Sequence, residues 1–194
     1  MVMMLAAVGL GTWIVLGVLV VLVLSVIAIY NGLVAKRMLC RQAWSQIDVQ
    51  LKRRHDLIPN IVSTVQGYAA HEKQTLEAVI QARNAALAVT GKGVAQQAQA
   101  ENMLTGALRQ LFALSEAYPN LKANENFMQL QEELTSTENR ISFARQHYND
   151  SVGVYNMGLQ VFPNNLMAAP MGFQPMDFFQ ADGPADREVP QVKF

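Results

Sequence analysis

The sequence predicts an all-α protein: an N-terminal transmembrane helix continuing into an up-and-down antiparallel four-helix bundle, with an extended C-terminal tail. Three observations predict it. From Met1 to Ala35 there is no ionisable side chain, and between Leu10 and Tyr30 the apolar run is broken only by Gly11, Thr12, Gly17 and Ser25. Beyond Lys36, apolar residues recur every three or four positions, the period of a helix with one buried face. Prolines at 163, 170, 175, 184 and 190 then exclude a long helix from the C-terminal part. The expected boundaries are an anchor over 1–32, a bundle over 33–162 and a strap over 163–194.

The anchor comes first. About 20 apolar residues at ~1.5 Å each cross the roughly 30 Å hydrocarbon core of a bilayer. Trp13 and Tyr30 stand near the two ends of the run, where amphipathic rings suit the headgroup zone. A cleaved signal peptide would need a basic start, a shorter apolar stretch and a small-residue cleavage site, and the sequence has none of these. Lys36, Arg37 and Arg41 crowd one flank of the span. Because positive flanks stay in the cytoplasm, the N-terminus is expected outside and the bundle inside.

Zero formal net charge hides a dipolar layout. Six basic residues face one acid, Asp48, between Lys36 and Arg54, whereas Asp177, Asp182, Asp186 and Glu188 outnumber Arg187 and Lys193 at the other end. The basic stretch suits a lipid bilayer as partner, and the neutral whole argues against nucleic acid. The single cysteine, Cys40, excludes an internal disulfide and agrees with a reducing compartment.

Helix 1 is expected to run on from the anchor, since Leu33, Arg37, Cys40, Trp44, Ile47, Leu51, Arg54 and Ile58 step by threes and fours. At Pro59 the sequence favours a turn, with Asp56 capping a second helix; the rival is one long helix kinked there. Helix 2 ends near Val89, before the turn Thr90-Gly91-Lys92-Gly93. Helix 3 covers about Val94 to Ala117, and Tyr118-Pro119-Asn120 makes the next turn. Helix 4 runs from about Leu121 to Val161, with Phe127, Leu134, Ile141, Tyr148 and Tyr155 on one stripe, until Phe162-Pro163 stops it. Short joins between such helices give an antiparallel bundle with coiled-coil-type packing. In the tail, Phe173, Phe178, Phe179 and Phe194 are too apolar for a solvated segment. A strap in a groove of its own bundle is favoured over docking on a neighbouring subunit.

No catalytic constellation emerges. His71-Glu72 begins like a zinc-protease motif, but Thr75 stands where its second histidine would be. His55, His71 and His147 lack ligand spacing, so no metal and no cofactor is expected. Gly91-Lys92-Gly93 is too short for a phosphate loop. Polar residues on the apolar stripes carry more information: Glu72, Arg83 and Glu101. Positions equidistant from Lys92 should meet across the helix 2–helix 3 hairpin, which predicts a partly buried ion pair between Arg83 and Glu101. The cluster Lys52-Arg53-Arg54 reads as an exposed helix terminus or as an interaction surface, and Phe178-Phe179, with Phe112 and Phe143, as aromatic residues off the stripes that could join one.

The stretch Ala43-Trp44-Ser45-Gln46-Ile47-Asp48-Val49-Gln50-Leu51-Lys52-Arg53-Arg54, continued by Asp56-Leu57-Ile58-Pro59-Asn60, resembles the LemA family of bacterial membrane proteins. Further blocks are Gly67-Tyr68-Ala69-Ala70-His71-Glu72, Glu138-Asn139-Arg140-Ile141, Ala144-Arg145 and Tyr148-Asn149, together with Tyr30-Asn31 and Phe162-Pro163. The resemblance implies a four-helix bundle on one N-terminal span, a bacterial inner-membrane location and no established enzymatic activity. Some similar proteins are associated with shaping internal membranes. The functional expectation is therefore a non-enzymatic membrane scaffold or adaptor acting through homo-oligomers and partner proteins; the alternative is an accessory subunit of a membrane enzyme such as a protease.

Overall fold

The computed structural model describes the backbone of residues 2–179 and the side chains of residues 11–179. The acidic residues expected beyond Asp177, and the end of the strap, lie outside them. Every regular element among the described residues is helical: α1 (Val2–Tyr68), α2 (Lys73–Ala88), α3 (Val94–Ser115), α4 (Pro119–Lys122), α5 (Glu125–Gln160) and α6 (Asn164–Ala168). Residues 2–41 with 151–176 form one unit, and residues 42–150 with 177–179 form another. Along the apolar run, Trp13, Ile14, Val15, Leu19, Val21 and Leu22 are all exposed. A helix apolar on every side and exposed suits a bilayer, and among the described residues α1 is the one helix long and apolar enough to cross one.

The expected turn at Pro59 is corrected: Pro59 lies inside α1, which continues to Tyr68. A proline inside a helix removes one N–H and leaves the carbonyl four residues earlier without its partner. That carbonyl belongs to His55, and Arg83 of α2 donates to it from Nε at 2.8 Å. A side chain on the neighbouring helix thus replaces the missing rung. Substituting Arg83 by methionine should destabilise the bundle by about 1–3 kcal/mol, the range for a buried acceptor stranded without a donor. In a Pro59→Ala background the rung returns, and the same substitution should cost less than half as much. Guanidinium unfolding of the four proteins of this cycle measures the coupling; equal costs in both backgrounds would show that Arg83 does not serve the proline.

In the second unit α1, α2, α3 and α5 alternate in direction around one core. Ile58, Ile61, Val65, Val79, Ala86, Leu104, Leu111, Leu121 and Phe127 are its fully buried members. The break between α1 and α2 falls at Ala69–Glu72, not at Pro59. Its polar ends are tied to the far side of the bundle, because Tyr118 donates to Glu72 Oε1 at 2.9 Å and Asn124 Nδ2 to the Tyr68 hydroxyl at 2.9 Å. Asn124 also caps α5, accepting from Phe127 N–H at 3.0 Å, as an N-cap side chain does three residues into a helix. Gly91 (φ 79°) and Gly93 (φ 127°) form the α2–α3 turn, in conformations that glycine adopts without steric cost. Gln97 Nε2 reaches the Ala86 carbonyl at 3.5 Å, close to the level expected from a hairpin centred on Lys92.

The first unit joins the early part of α1 to the end of α5, α6 and the start of the strap. Phe173 is buried, with the Tyr30 ring edge-on at 5.6 Å and the Arg37 guanidinium 5.0 Å over its face. Two residues read as membrane-interface groups therefore also hold the strap. Trp13 is exposed on the span, Arg41 is exposed and Lys36 is half-buried.

Candidate functional site

Arg54 sits on the α1 stripe between Leu51 and Ile58, and the structure buries it completely. Its Nη2 pairs with Glu101 Oε2, and its Nη1 donates to Glu138 Oε2 at 2.6 Å and to Thr105 Oγ1 at 3.0 Å. The other Glu101 oxygen accepts from Gln97 Nε2 at 2.7 Å and lies 3.1 Å from His55 Nε2. Burial opposes ionisation of Glu101, but the His55 hydrogen bond and the Arg54 charge outweigh it and hold the carboxyl below its usual range.

This network corrects two expectations. Glu101 does not meet Arg83: it is held by Arg54 and His55 of α1, and Arg83 is turned to the His55 carbonyl instead. The hairpin level was close, but Glu101 faces the third helix. Arg54 is no part of an exposed surface either, because α1 does not end near it. Lys52 is exposed, and Arg53 reaches Glu133 across solvent at 3.5 Å. At its centre the network is closed, since Glu101 and Arg54 have no accessible surface; Glu138, 37% exposed, and the half-buried Thr105 are the members that reach outward. Among the described residues no group of three or more His, Cys, Asp or Glu could hold a metal. The network links α1, α3 and α5 at one level of the bundle.

A binding arrangement lies along α5, and it rests on a repeated dipeptide, Tyr148-Asn149 and Tyr155-Asn156, seven residues apart. In the second unit, Asn149 Oδ1 accepts from Phe179 N–H at 2.8 Å while its Nδ2 donates to the Phe179 carbonyl at 3.1 Å, and Tyr148 donates to the Asp177 carbonyl at 2.9 Å. In the first unit, Asn156 makes the same pair to Met176 N–H and C=O, both 2.9 Å, and Tyr155 donates to the Gln174 carbonyl at 3.0 Å. Each asparagine uses both ends of its amide on both polar groups of one strap residue. The strap backbone forms no sheet, so these bonds answer the question of where its polar groups go.

In the sequence the two dipeptides stand seven residues apart on α5 and the two clamped residues, Met176 and Phe179, three apart on the strap. Burial follows the triplet: Phe173 and Phe179 are buried and Met176 half-buried, with exposed residues between them. Phe179 packs against Trp44 (5.9 Å between ring centres), and the Arg145 guanidinium lies 4.5 Å over its ring. The expected surface role of Phe179 is thus corrected, since it is 1% exposed, whereas Phe178 is 44% exposed. The described part of the strap, up to Phe179, packs on this chain's own α1 and α5. Its clamps were missed, although the repeated Tyr-Asn pair was visible as a sequence signal.

On the other side of the α1–α5 pair, in the second unit, an open groove of about 590 Å³ runs between Gln46, Val49 and Gln50 of α1 and Arg140, Phe143 and His147 of α5. Phe143 is 74% exposed and Val49 61% exposed. Phe112, by contrast, packs on the core.

The model of the LemA family matches residues 43–194. The magnetosome protein MamQ of Magnetospirillum gryphiswaldense is 24% identical over 200 residues, which cover 90% of this chain and 74% of that protein. MamQ 2 of Paramagnetospirillum magneticum is 24% identical over 202 residues, 88% of this chain and 74% of its own. Protein LemA of Metamycoplasma hominis is 26% identical over 143 residues, covering 73% of this chain and 64% of that one.

Proposed function

The chain belongs to the LemA family, and on that premise we propose that it is a non-enzymatic, membrane-anchored helical scaffold or adaptor that acts through homo-oligomers in membrane organisation. The observation that carries the reading is the contrast between its ionisable and its apolar groups. The cluster that could do chemistry, Arg54 with Glu101, is sealed and mutually neutralised, whereas Val49 and Phe143 line one groove of the second unit as large exposed apolar side chains. Exposed apolar residues gathered in a patch mark interaction surfaces. A span that confines copies to one plane raises their effective concentration, so weak contacts become populated. Relatives that carry the magnetosome name support a role at an internal or inner membrane. The one-sided charge of Lys36, Arg37 and Arg41 supports an N-terminus outside and a bundle in the cytoplasm.

Mass photometry of the full chain in nanodiscs, over a range of protein-to-disc ratios, tests the assembly. Discrete homo-oligomers are expected. A single copy per disc at every ratio, together with stoichiometric recovery of another membrane protein from native membranes, would replace the scaffold by an accessory subunit. Protease added outside intact cells should leave the bundle uncut; its digestion would overturn the orientation.

A further inference from the structure

We propose that the corner between α5 and α6 is a second membrane contact, seating Phe162 and Leu166 in the headgroup layer where the span leaves the bilayer. The contact rests on the reading of α1 as a membrane span, and every residue of it belongs to the first unit. Along α1 the exposed apolar run gives way to half-buried Val26 and Ile29 and then to buried Leu33, one helix face at the spacing of threes and fours. Two markers place the unit's other segment, residues 151–176, at this level. Gly158 of α5 faces Lys36, since a β-carbon added to it would stand 2.9 Å from Lys36 Nζ. Past α6, Phe173 meets the Tyr30 ring at 5.6 Å and donates its N–H to the Ala168 carbonyl at 3.0 Å. The corner is thus tied at both ends to the stretch from Tyr30 to Lys36, where the apolar run stops and the first charge appears.

What the corner exposes there suits lipid and not water. Phe162 is 78% exposed and Leu166 63% exposed. On α6, Leu166 points about 160° away from Ala168, which is buried, so one side of the short helix holds the unit and the other faces outward. From Ser151 to Met176 there is no Asp, Glu, Lys, Arg or His, although charged residues make up 15% of the chain. The carboxylates that bound this gap, Asp150 and Asp177, both belong to the second unit. Charge is therefore missing from the segment that stands at the bilayer surface, where burying it is costly. An apolar face of this kind sinks about 5–10 Å into the boundary between headgroups and acyl chains. Lys36 and Arg37, held at Gly158 and Phe173, add cations at the level of the lipid phosphates. A protein partner would have to displace lipid to reach this level; lipid is there already.

Nitroxide labels placed singly at Phe162→Cys, Leu166→Cys, Val21→Cys and Phe143→Cys test this in the full chain, in nanodiscs of phosphatidylcholine with phosphatidylglycerol. These positions are exposed, so the labels displace no core contact, and the native chain treated alike reports any label on buried Cys40. Collisions with oxygen, which concentrates in lipid, are compared with collisions with a water-soluble nickel chelate. The oxygen-to-nickel ratio at 162 and 166 should exceed that at 143 by about fivefold or more, as expected for side chains about 5–10 Å into the boundary. Phe162→Asp added to Leu166→Cys should lower the ratio at 166 several-fold, and Phe162→Leu should leave it near its original value. Circular dichroism identifies a variant that fails to fold, and the single labels then decide. A water-like ratio at 162 and 166, with lipid contact at Val21, would overturn the corner contact and leave the span standing. Water contact at Val21 as well would overturn both. Labels at 162 and 166 shielded from both reagents, or coupled between copies, would assign the corner to a protein contact and likewise overturn the proposal.

Discussion

Replacing Arg54 by methionine should cost the bundle about 3–5 kcal/mol, the penalty for leaving one partner of a buried ion pair alone. Methionine fills much of the same volume, so the loss is electrostatic: Glu101 has no accessible surface and would face the core with only His55 and Gln97 to hold it. Changing Glu101 to glutamine in the same chain removes the stranded charge and keeps an oxygen for both donors. The double variant should therefore be more stable than Arg54→Met by at least about 1.5 kcal/mol, a coupling well inside the range for residues of one network. Guanidinium unfolding of the full chain in mild detergent, followed by circular dichroism, reads both numbers. Acid provides an independent check. The Glu101 carboxyl is held below its usual range in the folded chain, so its contribution is complete above the unfolded value and is lost as pH falls through the folded one. The stability gap between the native chain and Glu101→Gln should shrink on acidification below about pH 4, the ordinary range of a glutamate. An Arg54→Met chain as stable as the native one would show that the network is ornamental.

How far the fold could be read from the sequence follows from the range of each signal. The apolar stripes are local: they located α3 within two residues and the end of α5 within one, and they picked out the buried Ile58, Leu104, Phe127 and Ile141. The start of α5 falls four residues later than expected, because Pro119–Lys122 forms the separate short helix α4. Pro59 misled because the cost of a proline inside a helix depends on whether anything meets the orphaned carbonyl. The answer, Arg83, is 28 residues away on another helix. The same distance hides the true partner of Glu101: a hairpin argument relates α2 to α3, but the charge is satisfied by α1, 47 residues earlier. Arg54 shows a third kind of failure. It sat on the core stripe and in a basic triplet at once, and composition outweighed periodicity. At the strap, the apolar character of Phe173 and Phe179 was enough to predict packing. The clamps were not predicted, because Asn149 and Asn156 read as ordinary exposed helix residues until an extended chain lies beside them.

Removing the clamps should release the strap without loosening the helix that carries them. Asparagine is a poor helix former and leucine a good one, so Asn149→Leu and Asn156→Leu should strengthen α5 while stranding the N–H and C=O of Phe179 and Met176. Stranding two buried polar groups at once is costly, and the chain escapes most of that cost by lifting the strap into water. The expected loss per clamp is therefore the net worth of its two hydrogen bonds, about 1.5–2 kcal/mol, or roughly tenfold in the docking equilibrium. The two clamps share no partner and lie in separate units, so their effects should multiply to about a hundredfold. Trp44 reports the outcome directly, since Phe179 covers it at 5.9 Å; with Trp13 changed to phenylalanine it is the remaining tryptophan of the chain. Its emission should shift to the red and become open to a soluble quencher in the double variant, as in a chain ending at Gly172. Proteolysis within residues 173–179 should accelerate by the same factor, with α1–α5 no easier to unfold. Native-like emission and cleavage in the double leucine variant would mean that Phe173 and Phe179 hold the strap by burial alone, and that the Tyr-Asn heptad does something else.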